Sequence, residues 1–556
     1  MDLDLFFPGG YGRSRAPELC REGLLALDEL MPGADLPRVP GWTPGQYEHL
    51  VASYGRLPME ANCEPVKLVR QMTQDLLSGA VNWRCPDLQY NLGAPVNVVA
   101  AALYALALEV NVYLINDGLA GSAVAAETSV ARILAALAGL PTGRAHGAFV
   151  FGGTGTMAYA IKAGLRKSAP DSARIGSPNN VKLLVTEDAH FSHLTAADWL
   201  GVGSDDLLTV SAAHDRRSQL DDAERQLRRV LDDGGRPATI LVNGGTTYDH
   251  AVDDIAAFAD LRDRLVTEYS LPYRPHLHVD SVVGWAWLMF NGYDYQENPA
   301  DISSDALALI RQQYERISKL HLADSWGVDF HKGVGSCPID SSVIMFNDRS
   351  DFVRLAKGGG AAASTMHQLA ADFSAESPAD YTLETSRAGG KALGALASLH
   401  SLGQRGYQML LGNLMQNTVA LRAELAATPD MRVLNSHALG YQTMVRLYPP
   451  GMSLDTRYPR ELTQGDGDMA GFIEQGNLYL NQFFAWDNAT RMDVNGGGVV
   501  YSFSRKYVST SCGADISGLK FYPTSPRAGV AHMREAVKLL AARKREFDIS
   551  WRREGL

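Results

Sequence analysis

Ala323-Asp324-Ser325-Trp326-Gly327-Val328-Asp329-Phe330-His331-Lys332-Gly333 sets a lysine directly behind a histidine, among small, apolar and acidic residues. An amine attacks an aldehyde only when it is neutral, and partial desolvation lowers a lysine's pKa far enough to make that possible. Lys332 therefore reads as a lysine that forms a Schiff base; the structural alternative is a surface lysine after a strand. Asp-Phe-His-Lys does not decide between the two alone, so the reading rests on what else the chain carries.

Upstream, His278-Val279-Asp280-Ser281 precedes the apolar run Val282 to Phe290 and places an acid at the end of a strand. A buried carboxylate needs a cationic partner, and a protonated pyridine nitrogen is one that also turns its ring into an electron sink. A capping or salt-bridged aspartate is the commoner fate of a lone acid. Further upstream, Phe149-Val150-Phe151-Gly152-Gly153-Thr154-Gly155-Thr156 runs from an apolar strand through glycines into a helix. Glycines let the backbone approach an anion, Thr154 offers a hydroxyl, and the free amides at the helix start supply donors. The stretch fits neither the Walker pattern nor a complete dinucleotide fingerprint, which favours a smaller phosphate over a nucleotide. Between these lie Asp188-Ala189-His190-Phe191-Ser192-His193 and Asn243-Gly244-Gly245-Thr246-Thr247-Tyr248-Asp249, each after a strand-like apolar run.

In this order the five stretches resemble the group II pyridoxal 5′-phosphate decarboxylases, whose members act on glutamate, histidine, aromatic and some aliphatic amino acids. The resemblance runs over residues 90 to 400. It implies an α/β fold of type I with a mostly parallel central sheet flanked by helices. An N-terminal arm over 1–90 would pack on a dimer partner, a large cofactor-binding domain would span 91–390, and a smaller C-terminal α+β domain 391–556. It implies further that Lys332 carries pyridoxal 5′-phosphate, that Asp280 pairs with the pyridine nitrogen, and that His190 stacks on the ring and helps to place the substrate carboxylate. Thr247 is expected near the phenolic oxygen, while Gly153, Thr154, Asp329 and His331 hold or orient the phosphate and the lysine. The reaction implied is conversion of an L-amino acid to its amine and carbon dioxide, in a homodimer whose active sites are shared across the interface.

Composition agrees with an enzyme. A chain of 556 residues, 46% hydrophobic and 20% charged, can bury a large core. Its formal charge of -11, with no long basic run, disfavours nucleic acid or an anionic membrane surface as a partner. Five scattered cysteines without a C-x-x-C pair indicate neither a disulfide framework nor a zinc site. The acidic start Met1-Asp2-Leu3-Asp4-Leu5, broken by Pro8-Gly9-Gly10, does not read as a signal peptide, so a cytoplasmic location is expected.

Strand-like runs at Ala148 to Phe151, Lys182 to Thr186, Thr239 to Val242 and His276 to Val279 alternate with amphipathic segments, the pattern of a mostly parallel sheet. Ligands of such sheets bind beyond the carboxyl ends of the strands, where the proposed residues fall. Val96 to Asn111 and Gly121 to Leu140 read as buried helices. The segment Lys357 to Thr365, rich in glycine and alanine, reads as a lid or a plain surface loop. Arg387, in Tyr381-Thr382-Leu383-Glu384-Thr385-Ser386-Arg387, meets the phosphate or holds structure; the sequence leaves both open.

One departure from the family pattern bears on the chemistry. Members usually protonate Cα from a lid tyrosine about thirty residues after the lysine, yet the chain has no tyrosine between Lys332 and Asp380. His367 is the candidate replacement, since an imidazole suits acid catalysis near neutrality; a solvent-facing histidine is its structural alternative. Members lacking this acid can instead oxidise the carbanion and release an aldehyde, ammonia and peroxide. A non-catalytic cofactor-binding protein ranks last. The side-chain pocket is expected near Met59-Glu60-Ala61-Asn62-Cys63-Glu64, and the absence of a basic cluster favours an apolar or aromatic L-amino acid over glutamate.

Overall fold

The structure, a computed structural model, describes residues 7–31, 36–41, 43, 45–59, 64–356, 378–450, 454–465, 467–491 and 498–553. Twelve strands among them form two sheets. The first, β1 (Leu88–Gln89), belongs to the smaller sheet. The larger is built from β2 (His146–Val150), β3 (Val181–Thr186), β4 (Leu207–Val210), β5 (Arg236–Asn243), β6 (His276–Asp280), β7 (Ser325–Asp329) and β8 (Ser342–Phe346), in the order β2-β8-β7-β6-β5-β3-β4. From β7 to β4 every neighbouring pair is parallel; β8 alone runs against both of its neighbours. The central strands are buried on both faces, which is why they read as nearly unbroken apolar runs.

Helix Gly152–Ser168 packs across β5, β7 and β8 and so carries its first turn to the carboxyl ends of the sheet. Helix Val124–Leu137 lies against β2, with Val130, Leu134 and Ala135 fully enclosed. Helix Gly390–Ala427, broken at Gly403, passes from the large body into the C-terminal domain. There β9 (Met431–Val433), β10 (Thr443–Leu447), β11 (Val500–Ser509) and β12 (Asp515–Phe521) form, with β1, a sheet in the order β1-β11-β12-β10-β9. Its core joins Leu447, Tyr479, Phe483, Leu519 and Phe547, drawn from strands and from helices Gly467–Thr490 and Val530–Arg553. This is the type I α/β architecture with a smaller C-terminal sheet.

The expected burial of 96–111 does not hold. Helix Val98–Glu109 buries only Ala100 and Ala107, while Val98, Leu106 and Leu108 are 71%, 57% and 59% exposed. Tyr104 and Ala100 rest on Gly390 and Gly394 of the long helix, where any Cβ would be crowded, and the opposite apolar face stays uncovered. The other apolar stretch behaves as expected, as a core helix.

Arg387 holds structure. Its guanidinium donates to both carboxylate oxygens of Glu127 and to the carbonyls of Leu114 and Phe149, and Glu127 accepts from the Phe149 amide at 2.6 Å. Both side chains are about 5% exposed, so this pair ties the segment returning at 387 to β2 and helix Val124–Leu137 without reaching the cavity described below. Arg387→Leu leaves a buried carboxylate uncompensated and is expected to cost about 3–5 kcal/mol in denaturant unfolding; a loss within about 1 kcal/mol would show that Glu127 finds other donors.

Candidate active site

The carboxyl ends of β2, β3, β5, β6 and β7 face one cavity of about 500 Å³. Gly153, Thr154, His190, Thr247, Asp280, His331 and Lys332 all line it, so seven of the sequence-derived residues converge. Each arrives by the same device, a strand that ends and hands the chain to a turn. Asp329 stands just behind the wall, in contact with Lys332. His367 and the segment 357–365 lie outside the described residues.

Gly152 enters its helix with φ +77°, a left-handed turn that glycine makes without strain. Gly153 packs close to the sheet: a Cβ there would stand 3.1 Å from Asp329 Oδ2 and 3.3 Å from Val282 Cγ1. The first turn of helix Gly152–Ser168 carries no acid, which leaves its free amides and the Thr154 hydroxyl as a site for an anion.

Lys332 is fixed by backbone as well as by charge. Gly93 forms an isolated antiparallel bridge with it, and the Gly333 amide donates to the Leu92 carbonyl at 2.7 Å. Its Nζ lies 2.8 Å from Oδ2 of Asp329, a fully buried carboxylate whose Oδ1 accepts from the Ser342 hydroxyl at 2.6 Å. Burial alone would lower the lysine's pKa, but the Asp329 carboxylate outweighs it and holds the ammonium above the ordinary lysine range. This corrects the expectation that desolvation neutralises Lys332. Facing the ammonium, Asp329 is placed to orient the lysine.

Asp280, at the end of β6, is raised to about 6 by burial, with Lys332 pulling the other way. Its Oδ1 accepts only a long 3.4 Å bond from the Val282 amide. A carboxylate so placed is ready for a cationic partner. His190 is held near a pKa of about 4, first by burial and then by repulsion from Lys332, so its ring is neutral. Its Nδ1 accepts from the Ser192 amide at 3.2 Å, which leaves the proton on Nε2. Burial likewise lowers His331, whose Nε2 is 3.7 Å from Asp329 Oδ2.

Sequence reasoning missed the near wall. Trp83, Asn91, Leu92, Gly93, Ala94 and Val96 line the cavity, as do Cys337 and Ile339 on the loop after the lysine. Of the expected pocket around Met59 to Glu64, residues 60–63 lie outside the described residues and Met59 is 94% exposed; among the described residues, the N-terminal stretch that lines the cavity is 83–96. The bridge between Gly93 and Lys332 joins segments far apart in the chain, and no local pattern announces it.

No family model matches the chain. It is similar to the L-2,4-diaminobutyrate decarboxylase of Rhizobium meliloti (strain 1021), 28% identical over 337 residues that span 60% of each protein. It is also similar to the L-tyrosine decarboxylase of Enterococcus faecalis (strain ATCC 700802 / V583), 28% identical over 344 residues, 58% of this chain and 53% of that one. The chain thus spans between about half and three fifths of the length of these curated relatives. Among solved structures, Oryza sativa TDC with PLP and tryptamine superimposes with a TM-score of 0.75, covering 97% of this chain and 99% of that one; at 14% identity this likeness establishes the fold. With that fold, these relatives, and lysine, aspartate, histidine and glycine-rich turn meeting in one cavity, the chain is similar to members of the group II pyridoxal 5′-phosphate-dependent decarboxylase family.

Proposed function

We propose that the protein removes the α-carboxylate of an L-amino acid with an uncharged, apolar or aromatic side chain, yielding the amine and carbon dioxide. The observation that carries this reading is the convergence of Lys332, Asp280, His190 and the Gly153–Thr154 turn on one cavity. The cofactor is pyridoxal 5′-phosphate, and the residues present fit it. The acid-free helix start suits its phosphate, Asp280 suits its ring nitrogen, the neutral His190 ring suits its face, and Lys332 is the amine that would capture its aldehyde. Bound there, it supplies an electron sink for the pair left behind when carbon dioxide departs.

The chain's own residues do the rest. Asp280 would hold a proton at the ring nitrogen of the bound group. Asp329 keeps the Lys332 ammonium at a fixed place when the amine is free. Trp83, Leu92, Val96 and Ile339 present apolar surface and exclude water. Among the described residues, Lys332, Asp280 and two histidines are the ionisable groups of the wall apart from Cys337, so a substrate's second carboxylate or second ammonium would be buried without a partner. That supports an uncharged side chain, although the relatives named above include one acting on diaminobutyrate.

A second reading keeps the same cavity and changes the product. The missing tyrosine between Lys332 and Asp380 opens an oxidative outcome, in which oxygen accepts the electrons and leaves as peroxide while an aldehyde and ammonia are released. Incubating the cofactor-loaded protein in air with a mixture of L-amino acids, and following amines, aldehydes and oxygen, separates the two. One amine with carbon dioxide is expected; an aldehyde with oxygen consumed would replace the first reading by the second.

The uncovered apolar face of helix Val98–Glu109, together with Ile339, 78% exposed on the cavity rim, supports a homodimer with the cavity at or near the interface. Leu106→Asp is expected to shift the sedimenting species from dimer to monomer, and a variant that sediments as wild type would place the interface elsewhere.

Cofactor capture should depend on pH with a fixed sign. Capture needs neutral Lys332, and Asp329 holds it protonated, so the capture rate is expected to rise about tenfold per pH unit through the neutral range. Asp329→Asn lowers that pKa and is expected to move the profile to lower pH, speeding capture at neutrality. A wild-type rate flat across that range would contradict the ion pair's role.

A further inference from the structure

The segment Thr246–His250 forms part of the cavity wall through Thr246 and Thr247, yet it is held from outside the large domain. It closes on itself as a turn, with the Thr246 hydroxyl accepting from the Ala251 amide at 3.0 Å and the His250 amide donating to the Thr246 carbonyl at 3.0 Å. Beyond that, four consecutive residues are each bonded to the C-terminal domain. Tyr522 donates its hydroxyl to the Thr247 carbonyl at 3.2 Å, and Asn435 Nδ2 donates to the Tyr248 carbonyl at 2.9 Å. Tyr507 donates to Asp249 Oδ1 at 2.8 Å, where His437 Nε2 also stands at 3.4 Å. Gln442 Oε1 meets His250 Nδ1 at 3.0 Å. Tyr522, Asn435 and Tyr507 are all buried, and burial keeps both phenols neutral donors at any physiological pH.

The docking is tight as well as polar. A Cβ at Gly440 would stand 2.1 Å from His250 Cβ, so only glycine lets the two domains approach this closely. On its other side His250 accepts from Trp287 Nε1 at 2.7 Å, which clamps the segment between the domains. Among the described residues, none of those lining the cavity belongs to the C-terminal domain. Bonds to two successive carbonyls fix a backbone more firmly than bonds to side chains, because they remove freedom at the peptide planes that carry Thr247.

We propose that the C-terminal domain is the positioning element for Thr247: Tyr522 and Asn435, through the carbonyls of 247 and 248, and Tyr507, through Asp249, set where the Thr247 side chain stands in the cavity. The inference rests on the reading above in one respect, that Thr247 faces the cofactor ring. These are positioning residues and touch neither cofactor nor substrate.

The test uses Tyr522→Phe and Tyr507→Phe, singly and together, with Thr247→Ala as reference and near-ultraviolet dichroism to confirm native packing. In the cofactor-free chain, the peptide spanning 244–250 is expected to exchange its amide hydrogens about tenfold faster in the double variant. In the loaded protein, the pH midpoint of the bound cofactor's absorption bands is expected to move in the same direction as in Thr247→Ala. Wild-type exchange in the double variant would overturn the clamp. Faster exchange with an unmoved midpoint, where Thr247→Ala moves it, would reduce the contacts to domain adhesion and overturn the proposal. An unmoved midpoint in Thr247→Ala would also overturn it while leaving capture by Lys332 intact, and failure of the wild-type protein to capture cofactor would instead defeat the functional reading, with the exchange result still judging the clamp.

Discussion

A half-buried ammonium set 2.8 Å from a fully buried carboxylate is the interaction on which the cavity depends. Taking a carboxylate fully, and its partner partly, out of water is costly, and the cost is recovered only if geometry is held from several sides. The fold supplies that hold. Asp329 ends β7 and is paired in register with Ser342 of β8, which places the serine hydroxyl against the carboxylate. The loop between those residues carries His331, Lys332, Cys337 and Ile339, and the arm at 92–93 pins it by backbone bonds. The single antiparallel strand of the large sheet thus does more than extend it: it anchors the acid that orients the lysine.

The rest of the cavity reads as a set of environments tuned around that pair. His190 is neutral because burial and the lysine both disfavour its charge, whereas Asp280 is pushed upward by burial and pulled back by the same lysine. One cation therefore shapes two neighbours in ways that suit a ring with a basic nitrogen and an electron-poor face. The C-terminal domain enters this arrangement through backbone, by its bonds to the 247 and 248 carbonyls, and so bears on the site without lining it.

Much of this was legible in the chain. The strand-like runs, the glycine turn at 152–155 and the acid at 280 announce themselves locally, because parallel strands buried on both faces are apolar throughout and must end in special turns. Four things were not legible, each because it depends on how side chains and elements meet in three dimensions. The lysine's pKa runs opposite to the desolvation argument because Asp329, only three residues away, turns its carboxylate onto the amine. Helix Val98–Glu109 has the composition of a core helix, but its burial depends on what covers it. The near wall at 83–96 reaches Lys332 through a bridge spanning more than half the large domain, and Arg387 finds Glu127 across a similar distance.

The most direct test of the account is to mix the purified protein with pyridoxal 5′-phosphate, reduce with borohydride, digest, and map the modified residue by mass spectrometry. The account requires a single stable adduct on Lys332, lost in Lys332→Ala and retained in Arg387→Lys. An adduct distributed over surface lysines, or one that persists in Lys332→Ala, would contradict the assignment of this cavity.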